Sequence, residues 1–309
     1  MFSKLDKLTS ESGEGPSKVA KLGIYNCYQI DEVVTTSFSW FRTLEVLILD
    51  NNKLTDKFLL TLLHWFPNLT ELDLTANDFT ILPEIINHCV FLRRLVLDRC
   101  YQLSEIRGIP SGVKHLSAKG CTSLISQSLS LLSSEKLHEG GGTDFIFPGS
   151  RIPTWFHHCC KGLSLSFWFR KRFPLVALCL GYGAYSWAAP GFYSWTASEA
   201  DSRTVSEAYS RGDAGLFIIQ MHVNSHKIKS KFLLNSGDRS AEHVYLFDLQ
   251  NAFPSLQPDG EAMQEYIKDG WNHVEFQFQG FVSMPVWTGV YVYKHNHDTA
   301  DVRFIDPII

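Results

Sequence analysis

The side chains with the most chemical potential stand together at His157-His158-Cys159-Cys160, four residues of metal-binding type in a row. A zinc site separates its ligands by a few residues, so that a turn can fold them round one ion. Consecutive residues on a strand or turn point apart, so this run predicts no metal site. Seven cysteines are an odd number, and none are spaced C-x-x-C. Gly13-Glu14-Gly15-Pro16-Ser17-Lys18 lacks the spacing of a phosphate-cradling G-x-x-x-x-G-K-[ST] loop, and Gly181-Tyr182-Gly183 is no dinucleotide fingerprint. The strained G-x-S-x-G turn that exposes a nucleophilic serine is absent from the sequence. With Ser, His and Asp scattered and no nucleophile marked, the expectation is a protein that is not an enzyme and takes no cofactor or metal.

The cysteines fit a repeat instead. Leu44, Leu47, Leu49, Asn52 and Leu54 follow L-x-x-L-x-L-x-x-N-x-L. The template recurs at Leu69, Leu72, Leu74, Asn77 and Phe79, and again at Leu92, Leu95, Leu97, Cys100 and Leu103. Weaker copies flank these at Val19, Leu22, Ile24, Cys27 and Ile30 and at Val113, Leu116, Ala118, Cys121 and Leu124, with starts stepping by 25, 25, 23 and 21 residues. Each repeat is expected to form one short parallel strand with its template residues inward, stacked on its neighbours because alone it cannot bury that face. Leu59, Leu62, Leu63 and Phe66 have helical spacing, so the second repeat returns through a helix that Pro67 ends. Pro83 and Pro110 make a regular helix less favourable in later returns.

The Asn position supplies hydrogen bonds to the turn after each strand, and Cys27, Cys100 and Cys121 at that position are expected to be buried, inert thiols. Free thiols favour a reducing compartment. Between template positions, side chains face solvent on a concave sheet. Glu45, Asp50, Glu71, Asp73, Arg93, Arg94, Asp98, Lys114 and His115 are the candidate protein-binding residues there. The first copy shows no polar cap, which suggests an array that continued upstream.

The bulk properties agree with a binding role. The 309 residues are 45% hydrophobic and 19% charged, with a net charge of -4. That balance provides no basic footprint for nucleic acid. No apolar run approaches the length of a membrane-spanning helix. The amino terminus lacks the apolar core of a signal peptide, so the expected location is the cytoplasm or nucleus.

After a Ser- and Gly-rich linker at 126–142 the rhythm changes. Leu163, Leu165, Phe167 and Phe169 alternate with Ser164, Ser166 and Trp168, the signature of a half-buried strand. Similar runs at 175–180, 216–223, 243–249, 271–278 and 286–293 predict an antiparallel sandwich, with one helix around 261–268. The stretch 181–195 reads as a loop, and its Tyr182, Tyr185, Trp187, Phe192, Tyr193 and Trp195 are further candidate contacts.

Two segments together resemble a known family. Phe147-Pro148-Gly149-Ser150-Arg151-Ile152-Pro153-Thr154-Trp155-Phe156, followed by Gly162-Leu163-Ser164-Leu165-Ser166-Phe167-Trp168-Phe169, looks like the start of the domain that follows the repeats in plant TIR-type immune receptors. His243–Asp248, Trp271–Phe276 and Gly289–Tyr293 are similar to later parts of that domain. The Cys-for-Asn repeats, and Ile109-Pro110 before Lys114-His115-Leu116, are similar to the last repeats of such receptors. Arg151 stands where an acidic residue is often found, and Thr154 is also atypical.

The resemblance implies an α/β leucine-rich-repeat solenoid followed by an all-β jelly-roll/Ig-like sandwich. The implied boundaries are a flank at 1–18, repeats at 19–125, the linker at 126–142, the jelly-roll/Ig-like domain at 143–295 and a tail at 296–309. It further implies a module that binds a pathogen effector and passes the signal to the TIR and nucleotide-binding domains of a receptor. Neither of those domains, with their NAD-cleaving and nucleotide-switching chemistry, is present in this sequence. Two other readings stay open: a carbohydrate-binding β-sandwich carried on a repeat adaptor, and a truncated gene product without signalling capacity.

Overall fold

A computed structural model describes residues 21–27, 44–124, 138, 141–149, 151–182, 216–234, 242–253, 265–280, 285–293 and 301–304. The chain divides into two compact units, Met1–Gln127 and Ser128–Ile309.

In the first unit five short strands pair in parallel in sequence order: β1 (Lys21–Tyr25), β2 (Val46–Asp50), β3 (Glu71–Asp73), β5 (Arg94–Val96) and β7 (His115–Ser117). Their register puts Leu22, Leu47, Leu72, Leu95 and Leu116 in one row, so that the spacing of the sequence template becomes the spacing of the ladder. All five leucines are at most 2% exposed. Strands of three to five residues bury too little alone, and stacking supplies the missing surface.

After each strand one residue enters the left-handed region: Asn26, Asn51, Ala76, Arg99 and Gly120, with φ from 54° to 72°. Asn and Gly tolerate this conformation, whereas a residue such as Ala76 or Arg99 loses about 1–2 kcal/mol by adopting it. The following residue then reaches the preceding strand. Asn52 Nδ2 donates to the Ile24 carbonyl (2.8 Å) and Asn77 Nδ2 to that of Leu49 (2.7 Å). Cys100 Sγ donates to Leu74 (3.2 Å) and Cys121 Sγ to Leu97 (2.9 Å). Asparagine does more than cysteine, because the Asn77 Oδ1 also accepts the amides of Asn52 (3.0 Å) and Leu54 (3.1 Å). Cys100 and Cys121 are fully buried, as expected, but Cys27 is only partly covered.

The returns decide the class of the fold. Helix α1 (Asp56–Trp65) follows β2, with its first turn capped by the Thr55 hydroxyl, and buries Phe58, Leu59, Leu62 and Leu63. The described returns after β3, β5 and β7 hold 3-10 turns at Glu84–His88 and Thr122–Leu124 and a two-stranded parallel pair, β4 (Ile81–Leu82) with β6 (Glu105–Ile106). The α/β leucine-rich-repeat solenoid with an appended jelly-roll/Ig-like sandwich is therefore corrected. Among the described residues the chain is mostly β-sheet, parallel in the first unit and antiparallel in the second, with α1 as its one regular helix of more than one turn. The physical reason is room: the later strands follow at 23 and 21 residues instead of 25, and Pro83 and Pro110 remove the amides a helix would use.

The second unit contains two antiparallel arrays. One runs β8 (Asp144–Pro148), β14 (His243–Asp248), β11 (Val176–Tyr182), β16 (Pro285–Val292) and β9 (His158–Lys161). The other runs β13 (His226–Leu234), β12 (Leu216–Val223), β15 (Trp271–Gly280), β10 (Ser164–Arg170) and β17 (Val302–Phe304). They share one core, in which Phe167 and Phe169 of β10 and Phe276 and Phe278 of β15 cluster with Leu178 and Leu180 of β11 and Val290 of β16. Strands β8, β9, β13 and β17 were not expected. Their sequences are short, proline-ended or rich in His, Cys and Lys, so pairing with neighbours makes them strands rather than their own alternation. The helix expected around 261–268 is a turn over 265–266, and 261–264 lie outside the described residues.

Candidate protein-interaction face

The outward side of the parallel ladder is organised by the same register as its core. Lys21, Val46, Glu71, Arg94 and His115 form one row across the five strands. Gly23, Ile48, Asp73, Val96 and Ser117 form the next, though Val96 and Ser117 at its carboxyl-terminal end are buried rather than facing solvent. Strand neighbours lie about 4.8 Å apart, so residues from repeats distant in sequence sit side by side. Glu71 beside Arg94 is such a pair, and both side chains are exposed.

The candidate residues separate by what they touch. Glu45 is exposed, and its carbonyl accepts the amides of Thr70 (2.7 Å) and Glu71 (3.0 Å). Asp73 is committed to its own turn, where Oδ1 accepts the Thr75 amide (2.9 Å) and hydroxyl (2.5 Å). Asp98 is likewise committed, accepting the Ser117 hydroxyl (2.5 Å) and the Lys119 amide (3.0 Å). Arg93 donates through Nη1 to the Gly112 carbonyl at 2.8 Å. Burial raises the pKa of the half-buried Asp50, with Arg99 opposing the rise and Asp73 adding to it. Lys114 and His115 are half-buried at the carboxyl-terminal end of the ladder. Glu45, Glu71 and Arg94 thus present charge to solvent, while Asp73, Asp98 and Arg93 hold the scaffold.

Two contributors were not singled out from the sequence. Tyr25 is 56% exposed at the end of β1, in register with Asp50. Arg99 is exposed and held in the left-handed conformation beside Asp50. The regular position before the Asn or Cys was the signal for Arg99, but only three of the five positions carry Asn or Gly, which obscures it.

In the second unit Tyr182 is corrected. It lies on β11, 3% exposed, not on a loop, and burial drives its hydroxyl pKa well up. It falls in register with β14 and β16, and that pairing decides its place. Tyr185, Trp187, Phe192, Tyr193 and Trp195 lie outside the described residues.

The turn that carried the resemblance packs within its own unit. Trp155 stacks on His138 at 5.2 Å between ring centroids and meets the Tyr291 ring edge-on at 4.9 Å. Ile152 closes over Gly289, where an added Cβ would come within 2.9 Å of its methyl carbon.

The run His158, Cys159, Cys160 alternates buried and exposed along β9, so its side chains do not converge, and no group of three potential ligands forms among the described residues. Burial, with Cys160 beside it, pushes the Cys159 thiol up to about 11. Cys160 is raised by burial as well, and its sulfur lies 3.0 Å from the Thr288 hydroxyl. Such thiols stay protonated near neutral pH and are poor nucleophiles.

Over 227 residues the chain is 25% identical to Disease resistance protein RPS4B of Arabidopsis thaliana, a match covering 52% of this chain and 19% of that protein. It is a distant relative of a plant disease resistance protein. The chain spans about a fifth of that relative's length. No family model matches the sequence. Among the described residues no helix is long and apolar enough to cross a membrane.

Proposed function

We propose that this chain is a ligand-sensing part of an intracellular plant immune receptor. It binds a pathogen effector through the outward ladder face, and the second unit adds contacts of its own. The observation that carries this reading is the register row Lys21, Val46, Glu71, Arg94 and His115. The scaffold beneath is held by backbone bonds and by Asn52, Asn77, Cys100 and Cys121, so exposed residues such as Glu71 and Arg94 are free to vary without unfolding it. The relation to a disease resistance protein supports the immune setting. All seven cysteines are free thiols, which suits a reducing compartment. The chain acts by binding and has no catalysis of its own, and the TIR and nucleotide-binding domains of a longer receptor would read out the bound state.

The test is co-precipitation from plant tissue co-expressing the chain with a panel of secreted pathogen proteins. Capture of at least one by the native chain, lost in the double reversal Glu71→Arg with Arg94→Glu, is the expected result. A captured set unchanged by that reversal removes the ladder face from the reading.

A further inference from the structure

A cluster of cations and aromatic rings lies on the outward face of the array containing β15, β10 and β17. Along β10, Leu165, Phe167 and Phe169 are buried, so the alternate Ser166, Trp168 and Arg170 face outward. Trp168 pairs with His273 on one side and with Arg303 on the other, while Arg170 pairs with Trp271. The guanidinium carbon of Arg303 lies 4.2 Å from the Trp271 ring centroid and that of Arg170 lies 5.3 Å from it. Asp301, largely buried, accepts from Arg170 Nε and from Lys171 Nζ (2.9 Å). Those hydrogen bonds, Lys171 first and Arg170 next, hold its carboxyl below the usual range. Glu275 on β15 stands opposite His222 and Ser166 and accepts from Gln277 Nε2 at 3.2 Å.

Arg170 and Arg303 thus lie over Trp271, and Arg170 and Lys171 both bind the carboxylate of Asp301, so that among these contacts three cations face one carboxylate on a chain whose net charge is -4. Stacking on a ring fixes a guanidinium plane in advance, which lowers the ordering cost of a bidentate partner. Guanidinium groups already cover Trp271, and His273 lies 4.9 Å from Trp168. An open ring for a nucleobase to stack on is not what this face presents.

We propose that this face docks an acidic peptide segment of a partner protein. Its carboxylates bind Arg303 and Arg170 as two-pronged acceptors and Lys171 through one oxygen. This proposal rests on residues of the second unit alone and stands whether or not the effector reading does.

The test titrates a fluorescent glutamate-rich peptide into the full chain at low salt, with a lysine-rich peptide and an oligothymidylate of matched charge alongside. The expected result is saturable binding of the glutamate-rich peptide only. The double variant Arg303→Glu with Lys171→Ala weakens it about five- to tenfold, and so does salt that shortens the screening length to about 8 Å. Arg107→Glu, on the first unit, leaves it unchanged. Should Arg303→Glu lose its fold by circular dichroism, Lys171→Ala alone carries the test, since that side chain is 69% exposed. Absent binding, binding indifferent to every reversal on this face, or preference for the oligothymidylate overturns the proposal. Peptide binding that persists while effector capture fails separates this inference from the function proposed above.

Discussion

The ladder of the first unit and the paired arrays of the second solve the same problem over different ranges of sequence. In the ladder, hydrogen bonds from side chains reach one repeat away, as from Asn77 to Leu49 and from Cys121 to Leu97. In the second unit the bonds that close the structure join residues more than a hundred positions apart: Gly142 to Asp248, Cys160 to Thr288, Arg170 to Asp301. A ladder can therefore be extended or varied coil by coil. The paired arrays stand or fall as a whole, because apart from the β12–β13 hairpin their strands lie beside partners the sequence does not place next to them.

The largest expected effect tests the second half of that contrast. Phe167→Ala empties a fully buried site where two arrays meet and is expected to lose about 3–5 kcal/mol. Hydrogen-exchange mass spectrometry should show protection falling together on β10, β15, β11 and β16. A loss confined to β10 would break the picture of a jointly held core.

A smaller loss is expected inside the ladder, and it should depend on which residue occupies the turn. Asn77 donates to the carbonyls of Leu49, Leu74 and Thr75 and accepts two amides, so Asn77→Ala should cost about 3 kcal/mol. Cys100→Ala removes one weak thiol donor and some packing and should cost about 1 kcal/mol. Denaturant titration followed by exchange of the 44–80 and 92–124 peptides compares them. Equal losses would mean that the thiol and the amide do the same work.

The smallest effect concerns pH. Burial pushes the carboxyl of Asp56 up, but the Thr80 hydroxyl and the Ile81 and Thr80 amides outweigh it and hold it below its ordinary value. A lowered carboxyl stabilises the folded state above its unfolded pKa, and that contribution disappears as pH falls through the folded value. Protection of β4 should therefore drop on acidification below about pH 4 in the native chain. Asp56→Asn should flatten that dependence, and an unchanged pH profile would place its source elsewhere.

Much of the ladder was legible because its signal repeats. The leucines, Asn52, Asn77, Cys100 and Cys121 keep the spacing that parallel stacking requires, and α1 follows the period of Leu59, Leu62 and Leu63 and ends before Pro67. Six strands of the second unit were legible for a similar reason, since alternation along Leu165, Phe167 and Phe169 states which face is buried. Glu45, Glu71 and Arg94 were correctly placed facing solvent, whereas Asp73, Asp98 and Arg93 turned out to be bound to the scaffold. Their carboxylates and guanidinium look alike in a sequence whether they bond to a neighbouring coil or face water.

By itself, then, the sequence determined the strand spacing, the inward rows and the residues able to stitch one coil to the next, because each of these is a local pattern repeated along the chain. The tertiary structure alone decided that the later returns are turns rather than helices, that Tyr182 is interior, and that Asp301 lies against Arg170 and Lys171. Those outcomes depend on which strands become neighbours, and no local pattern carries that information across more than a hundred residues.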